Sequence, residues 1–108
     1  MSASRVQDTL RDFVAEREWD QFHSPENLAK SVVIESAELL ECFQWNGDHE
    51  IDRVRDELAD VLTYCHLLAA KLDLDVDQIV LDKLGKTRAK YPVETARGSS
   101  EKYDRLPD

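Results

Sequence analysis

Apolar residues recur through most of this sequence every three or four positions, the spacing that places them on one face of a helix. Two serines suggest where helices begin. Ser24 is followed by proline, a typical helix start, and Ser4 stands three residues before Gln7, as in a capping box. The pattern predicts four helices, over about residues 4–18, 25–45, 49–72 and 76–91.

The breaks between these helices are short. Asn46, Gly47 and Asp48 separate the second helix from the third, so we expect those two helices to be antiparallel neighbours. Helical signals stop at Pro92. We therefore expect an all-α domain over residues 1–92, with a four-helix core, followed by an extended or partly mobile tail over residues 93–108.

Composition agrees with a mainly helical protein, since 42% of the residues are hydrophobic and Gly and Pro number only three each. A 108-residue chain has a modest core, and a helical hairpin leaves apolar stripes uncovered, so we expect a homodimer or a dimer of dimers. Cys42 and Cys65 fall in apolar helical patterns, as reduced cysteines of a cytoplasmic protein would. No segment has the length and apolar content of a membrane span or a targeting signal.

The charge is unevenly distributed. A net charge of −9 argues against a nucleic-acid polymer as a partner. Residues 83–108 nevertheless carry seven basic and four acidic residues, while the rest of the chain is strongly acidic. Such a segment suits a phosphate-bearing ligand held above a metal site, and it equally suits a tail that neutralises the acidic body.

Two acidic motifs stand within the second and third predicted helices: Glu35-Ser36-Ala37-Glu38 and Glu57-Leu58-Ala59-Asp60. Residues three apart share a helix face, so two adjacent helices would bring four carboxylates together. Crowded carboxylates raise one another's pKa unless a cation lies among them. Oxygen ligands of this kind suit Mg²⁺ or Mn²⁺.

Other interpretations of the acidic motifs stay open at this point. Glu35 falls inside an apolar stripe, where an arginine or a helix end could satisfy a buried carboxylate. A di-iron site would need Glu-x-x-His motifs, and none of the three histidines has a glutamate three residues before it. A non-catalytic helical module whose acidic face docks a basic partner is a further alternative.

Four segments carry a resemblance to a known family. They are FVAEREWDQFHSPENL at 13–28, ESAELLECFQW at 35–45, DELADVLTY at 56–64 and KLGKTRAKYP at 83–92. The sequence resembles the all-α nucleoside triphosphate pyrophosphohydrolases of the MazG-like group, and within it the dCTP pyrophosphatase type. This resemblance implies cleavage between the α- and β-phosphates, giving the monophosphate and pyrophosphate. A phosphoribosyl-ATP pyrophosphohydrolase is the alternative within the superfamily, and the aromatic residues argue against it.

The resemblance also implies roles for individual residues. Metal ligands for Mg²⁺, or for Mn²⁺ in its place, would be Glu35, Glu38, Glu57 and Asp60. Glu38 would take the proton of the attacking water, with Glu41 as the alternative.

Substrate contacts follow from the same resemblance. Base-binding residues would be Trp19, His23, Trp45 and Tyr64, although the two tryptophans could equally be core or interface residues. Contacts to the phosphates or sugar would come from Lys83, Lys86, Thr87, Arg88, Lys90 and Tyr91. Thr87 stands where relatives commonly have asparagine, which puts sugar or base selectivity in question.

Overall fold

All the regular elements of the described residues are helical. The computed structural model describes residues 2–45 and 50–106, and side chains from residue 5 onward. The helices are α1 (Ser2–Glu16), α2 (Pro25–Glu41), α3 (Ile51–Lys71), α4 (Val76–Lys90) and α5 (Val93–Ala96), with short 3₁₀ helices at Asp20–Phe22 and Tyr103–Arg105. No strand occurs in these residues. The prediction of an all-α fold is confirmed.

The chain divides into two compact units, residues 1–76 and 77–108. In the first unit α3 packs along α2 and, over a shorter length, against α1. Three hydrophobic side chains are buried among the described residues: Val14 of α1, Leu28 of α2 and Ala69 of α3. Each helix of the first unit thus contributes one residue to a small core, and Leu28 is the most deeply buried, at 2% exposure.

The structure shows which of the two predicted helix caps, at Ser24 and Ser4, form. Ser24 caps α2 as predicted, because its Oγ accepts a hydrogen bond from the backbone N–H of Asn27 at 3.1 Å. The cap predicted at Ser4 is wrong, since α1 already begins at Ser2. Gln7 instead donates to the carbonyl oxygen of Leu74 at 3.2 Å, which ties α1 to the turn that follows α3. The break predicted at residues 46–48 lies outside the described residues.

Both α1 and α3 end in a Schellman motif, in which a residue of left-handed conformation closes the helix. At the end of α1 this residue is Glu18, with φ of 53°. The N–H of Trp19 donates to the carbonyl of Val14 and that of Glu18 to the carbonyl of Ala15, both at 3.1 Å. These bonds fix the backbone of Trp19 immediately beyond α1.

The end of α3 repeats the motif. Asp73 has φ of 57°, and the N–H of Leu74 donates to the carbonyl of Ala69 at 2.8 Å. Asp73 donates its own N–H to the carbonyl of Ala70 at 3.2 Å. These bonds close the C-terminal end of α3, and α4 begins at Val76.

The second unit contains nearly all of α4 and the segment that follows it. Two short helices, α5 and the 3₁₀ helix at Tyr103–Arg105, lie in the segment predicted as an extended or partly mobile tail. A turn at Gly98, with φ of 77°, precedes the contacts of Tyr103, whose ring meets that of Tyr91 edge-on at 6.2 Å between centroids. The boundary predicted at residue 92 between a domain and a tail stays a prediction, as does the four-helix core.

Within the described ranges, none of the helices combines the length and the apolar character that crossing a membrane requires.

Candidate functional site

Three of the four predicted metal ligands meet between α2 and α3. One carboxylate oxygen from each of Glu35, Glu57 and Asp60 lies within 4.8 Å of the other two. Glu35 lies in the C-terminal half of α2 and Glu57 and Asp60 in the N-terminal half of α3. Antiparallel neighbours joined by a short connection bring those halves together. We call these residues and Glu38 the acidic cluster.

The electrostatics of the acidic cluster are those of crowded like charges. Burial raises the pKa of Glu35, and the neighbouring carboxylate of Glu38 raises it further. Burial likewise raises the pKa of Glu57, with added repulsion from Glu38 and Asp60 and a smaller opposing effect from Arg53. Glu38 therefore lies close enough to act on both partners, and the cluster favours a cation in its midst.

Two oxygens of the cluster have no partner among the described residues. They are Oε2 of Glu35 and Oε2 of Glu57, both shielded from water and without a hydrogen bond. A buried glutamate satisfied by an arginine or a helix end, the alternative left open above, would have such a partner. Unpaired carboxylate oxygens in a set made only of oxygen ligands fit a hard divalent cation, so these residues fit Mg²⁺ or Mn²⁺.

An aromatic cavity of about 130 Å³ opens beside the acidic cluster. Asp60 belongs to both, because its side chain also lines the cavity. Three of the predicted base-binding residues, Trp19, His23 and Tyr64, line it together. The other lining residues are Leu10, Phe13, Val14, Thr63 and Leu67.

None of these five other lining residues was predicted as a site residue, and two of them, Phe13 and Thr63, carry an aromatic ring and a hydroxyl. Phe13 belongs to the apolar stripe of α1, and Thr63 lies between Asp60 and Tyr64 on α3. The signal for Thr63 was its position three residues after Asp60, which places it on the same helix face. Phe13 precedes Trp19 by six residues and gave no comparable signal.

A larger cavity of about 360 Å³ adjoins the aromatic cavity and shares Val14, His23 and Leu67 with it. An ion pair lies on its wall, in which the Lys71 ammonium donates to Asp20 Oδ1 at 2.8 Å. This hydrogen bond and the charge of Lys71 lower the pKa of Asp20. The pair joins the 3₁₀ helix after α1 to the end of α3 and so supports the cavity walls.

Two predicted site residues lie apart from these features. Glu41 is the last residue of α2 and is exposed, and the acidic cluster does not include it. Trp45 follows α2, is 85% exposed and does not line the aromatic cavity. The roles predicted for both stay predictions.

The predicted phosphate contacts belong to α4 and its end, in the second unit. Helical periodicity places Lys83, Lys86, Thr87 and Lys90 on one face. The Thr87 hydroxyl donates to the carbonyl oxygen of Lys83 at 3.1 Å, so it offers a ligand only its acceptor capacity. Roles for these residues and for Arg88 and Tyr91 stay predictions.

Comparison with known proteins relates this geometry to a family. Residues 30–106 match the model of the MazG-like family. The chain is 42% identical over 106 residues to dCTP pyrophosphatase 1 of Mus musculus and of Homo sapiens, and the match covers 89% of this chain. It spans about 62% of the length of those relatives.

A solved structure shows the same fold. The crystal structure of a pyrophosphatase from Archaeoglobus fulgidus superposes with a TM-score of 0.79 at 36% sequence identity. The match covers 85% of this chain and 94% of that one. The family model covers most of the chain and includes all four residues of the acidic cluster. The chain belongs to the MazG-like family.

Proposed function

We propose that this protein hydrolyses nucleoside triphosphates between the α- and β-phosphates, with deoxynucleotides carrying dCTP-like or modified pyrimidines as preferred substrates. Its role would be to clear unwanted nucleotides from the pool. The observation that carries the proposal is the position of Asp60, which belongs both to the acidic cluster and to the aromatic cavity. A nucleotide whose base enters the cavity would carry its phosphates toward the carboxylates.

Glu35, Glu38, Glu57 and Asp60 would hold Mg²⁺. The ion would supply charge neutralisation for the phosphates and acidify a water molecule. Three of these residues have ligand atoms in mutual reach, and Glu35 and Glu57 each have one carboxylate oxygen without a hydrogen-bond partner in the described structure.

Glu38 would act as the general base. Its carboxylate lies close to both Glu35 and Glu57, yet it is not one of the three residues whose oxygens converge most closely. It would accept the proton of the water as the water oxygen bonds to phosphorus. The bond from that phosphorus to the oxygen bridging the α- and β-phosphates breaks, and pyrophosphate leaves with the electron pair.

The aromatic cavity would bind the base. Trp19 and Tyr64 offer flat faces on which a base stacks for about 1–3 kcal/mol whatever its identity. His23 and Thr63 would supply the polar contacts that distinguish one pyrimidine from another.

The comparisons support the same chemistry. Two relatives with 42% identity are named dCTP pyrophosphatase 1, and the Archaeoglobus fulgidus neighbour is described as a pyrophosphatase. The basic face of α4 would contact the phosphates, with Tyr91 at its end. We further propose that the protein works in the cytoplasm as a homodimer or a dimer of dimers.

A nucleotide panel tests the proposed function. Purified protein is incubated with each canonical and several modified dNTPs, with Mg²⁺, with Mn²⁺ or with EDTA, and the products are separated. We expect pyrophosphate and the nucleoside monophosphate, fastest with pyrimidine deoxynucleotides, and no turnover in EDTA. Release of orthophosphate, or no product from any nucleotide, would contradict the proposal.

A matched pair of variants on α3 ties the activity to the site. Asp60→Asn removes a carboxylate of the acidic cluster and should abolish turnover while the circular dichroism of the helices is retained. Asp52→Asn makes the same chemical change at an exposed position in the first turn of α3 and should retain activity. Equal losses in both variants would argue against the assignment of the acidic cluster as the active site.

A further inference from the structure

A stack of three side chains lies at the junction of α1 and the aromatic cavity. The rings of Phe13 and Trp19 meet edge to face, with 5.6 Å between centroids and 79° between planes. The Arg17 guanidinium lies over the Phe13 ring, with its central carbon 3.9 Å from the centroid. The same carbon is 6.0 Å from the centroid of Trp19. Phe13 and Trp19 line the cavity, whereas Arg17 is not among its lining residues.

The backbone alone does not orient the Trp19 ring. The Schellman motif fixes the main chain at Trp19 through its bond to Val14, but the side-chain torsions remain to be set. Trp19 is about 44% exposed, so core packing leaves much of the ring unconstrained. Its edge-to-face contact with Phe13 supplies the missing constraint, because aromatic pairs favour this geometry.

Arg17 in turn fixes Phe13. Its Nη1 donates to the Phe13 carbonyl oxygen at 3.0 Å, and its guanidinium covers the face of the same ring. A cation over an aromatic face is attracted to the negative charge of the ring. The carboxylate of Glu16 lies 3.5 Å from the same Nη1 and forms an ion pair with the guanidinium.

We infer that Arg17 is a positioning residue for nucleotide binding, which acts through Phe13 to hold the Trp19 ring as a preformed wall of the aromatic cavity. The inference rests on the proposed function for the identity of the ligand. A base that stacks on a ring already in place loses less affinity to side-chain ordering than one that must immobilise it. Trp19 lines the cavity proposed for the base and is not part of the acidic cluster, so Arg17 acts on affinity and leaves the chemical step unchanged.

The first test measures the mobility of the Trp19 ring in the absence of a ligand. In a Trp45→Phe protein Trp19 is the only tryptophan, so time-resolved fluorescence anisotropy reports the motion of this ring alone. We expect restricted motion in this parent and an added fast component in Arg17→Met, which keeps a long side chain and removes the cation. Arg17→Lys keeps the charge and should restore part of the restriction. Unchanged anisotropy in Arg17→Met overturns the inference.

The second test measures catalysis in protein that retains Trp45. With dCTP as substrate, Arg17→Met should raise KM about two- to fivefold and leave kcat nearly unchanged. Arg5→Met removes the same charge from an exposed position on α1 outside the cavity and is the control. A fall in kcat at constant KM, or an equal effect in the control, overturns the inference.

A double-mutant cycle keeps the inference testable if Arg17→Met disturbs folding. Phe13→Leu removes the ring through which Arg17 acts and should raise both the mobility of Trp19 and KM. Adding Arg17→Met to Phe13→Leu should then change neither the mobility of Trp19 nor KM further. Additive effects of the two substitutions would show that Arg17 does not act through Phe13. If the wild-type protein hydrolyses no nucleotide, the proposed function fails, while the anisotropy still decides whether Arg17 holds Trp19.

Discussion

Glu35 and Glu57 each keep one carboxylate oxygen away from water without a hydrogen-bond partner in the described structure. A folded protein rarely retains such groups unless they serve a purpose, because each one disfavours folding when ionised. Their neighbours are further carboxylates, so the strain is electrostatic and a divalent cation would relieve it. At the scale of single residues, the acidic cluster therefore lowers the stability of the metal-free protein, as the proposed metal site would require.

The first prediction separates the two candidates for the general base. Glu38→Gln should reduce kcat by about 10²- to 10⁴-fold, the usual contribution of general-base catalysis, with the helical circular dichroism retained. Glu41→Gln should lose far less, because Glu41 is exposed at the end of α2 and outside the acidic cluster. Steady-state kinetics with saturating Mg²⁺ measure both variants. A larger loss in Glu41→Gln would transfer the role to that residue.

The second prediction concerns pH. The pKa values of Glu35 and Glu57 are raised above their ordinary value of 4.5, so above that pH the folded protein binds more protons than the unfolded chain. Without metal, their contribution to the free energy of unfolding should therefore fall as pH rises from about 4.5 through the raised values. Urea unfolding across this range measures it, with Glu35→Gln as the control whose pH dependence is weaker.

Stabilisation by Mg²⁺ bound to the same two residues should have the opposite pH dependence. Mg²⁺ binds ionised carboxylates, so the stabilisation it provides should grow as pH rises over the same range. Thermal melts with and without Mg²⁺ at each pH show the difference. A Mg²⁺ effect that shrinks with rising pH would place the metal elsewhere, and no effect at any pH would favour a non-catalytic acidic module.

The proximity of the acidic residues could be predicted from the sequence, because each acidic pair lies within a single helix. The carboxylates stand three residues apart on α2 and on α3, and a short break implies that the two helices are neighbours. Phe13 was missed because a helical pattern gives the buried face of α1 but not the point at which α1 crosses α3. Trp45 was grouped with the base-binding residues by resemblance, and in this chain it is largely exposed.

Some helix ends could be predicted from the sequence and others could not. Ser24 and Pro25 gave the start of α2 correctly, because capping and the fixed proline backbone act within a few residues. The Ser4 cap was wrong, since α1 begins two residues earlier. The Schellman motif at Glu18 gave no sequence signal, because glutamate seldom adopts the left-handed conformation and glycine or asparagine usually marks this position.

The third prediction follows from these two helix ends. Glu18→Gly should raise the free energy of unfolding by about 0.5–1 kcal/mol, because the left-handed conformation costs glutamate more than the added chain entropy costs glycine. Asp73→Gly should raise the free energy of unfolding by less, since aspartate tolerates the left-handed conformation better than glutamate does. Urea unfolding at one fixed protein concentration compares the two variants. A larger gain at Asp73 would contradict the argument from backbone strain.

At the scale of the whole molecule, much apolar surface is uncovered. Val33 and Leu40 lie seven residues apart on one face of α2 and are each 69% exposed. Ile34 on the same helix and Leu62 on α3 are more than half exposed as well. Large exposed apolar surfaces mark sites of association, and a second copy of the chain offers a matching apolar face in a two-fold symmetric interface.

The fourth prediction is that this face of α2 holds the oligomer together. The wild-type chain should have the mass of a dimer or a tetramer in size-exclusion chromatography with light scattering. Leu40→Glu places a charge in the face and should shift the mass toward the monomer, with a lower and concentration-dependent Tm. Thr9→Glu adds the same charge at an exposed position on α1 and should leave the mass unchanged. A monomeric wild type, or a Leu40→Glu protein of unchanged mass, would show that this face of α2 does not form the interface between copies of the chain.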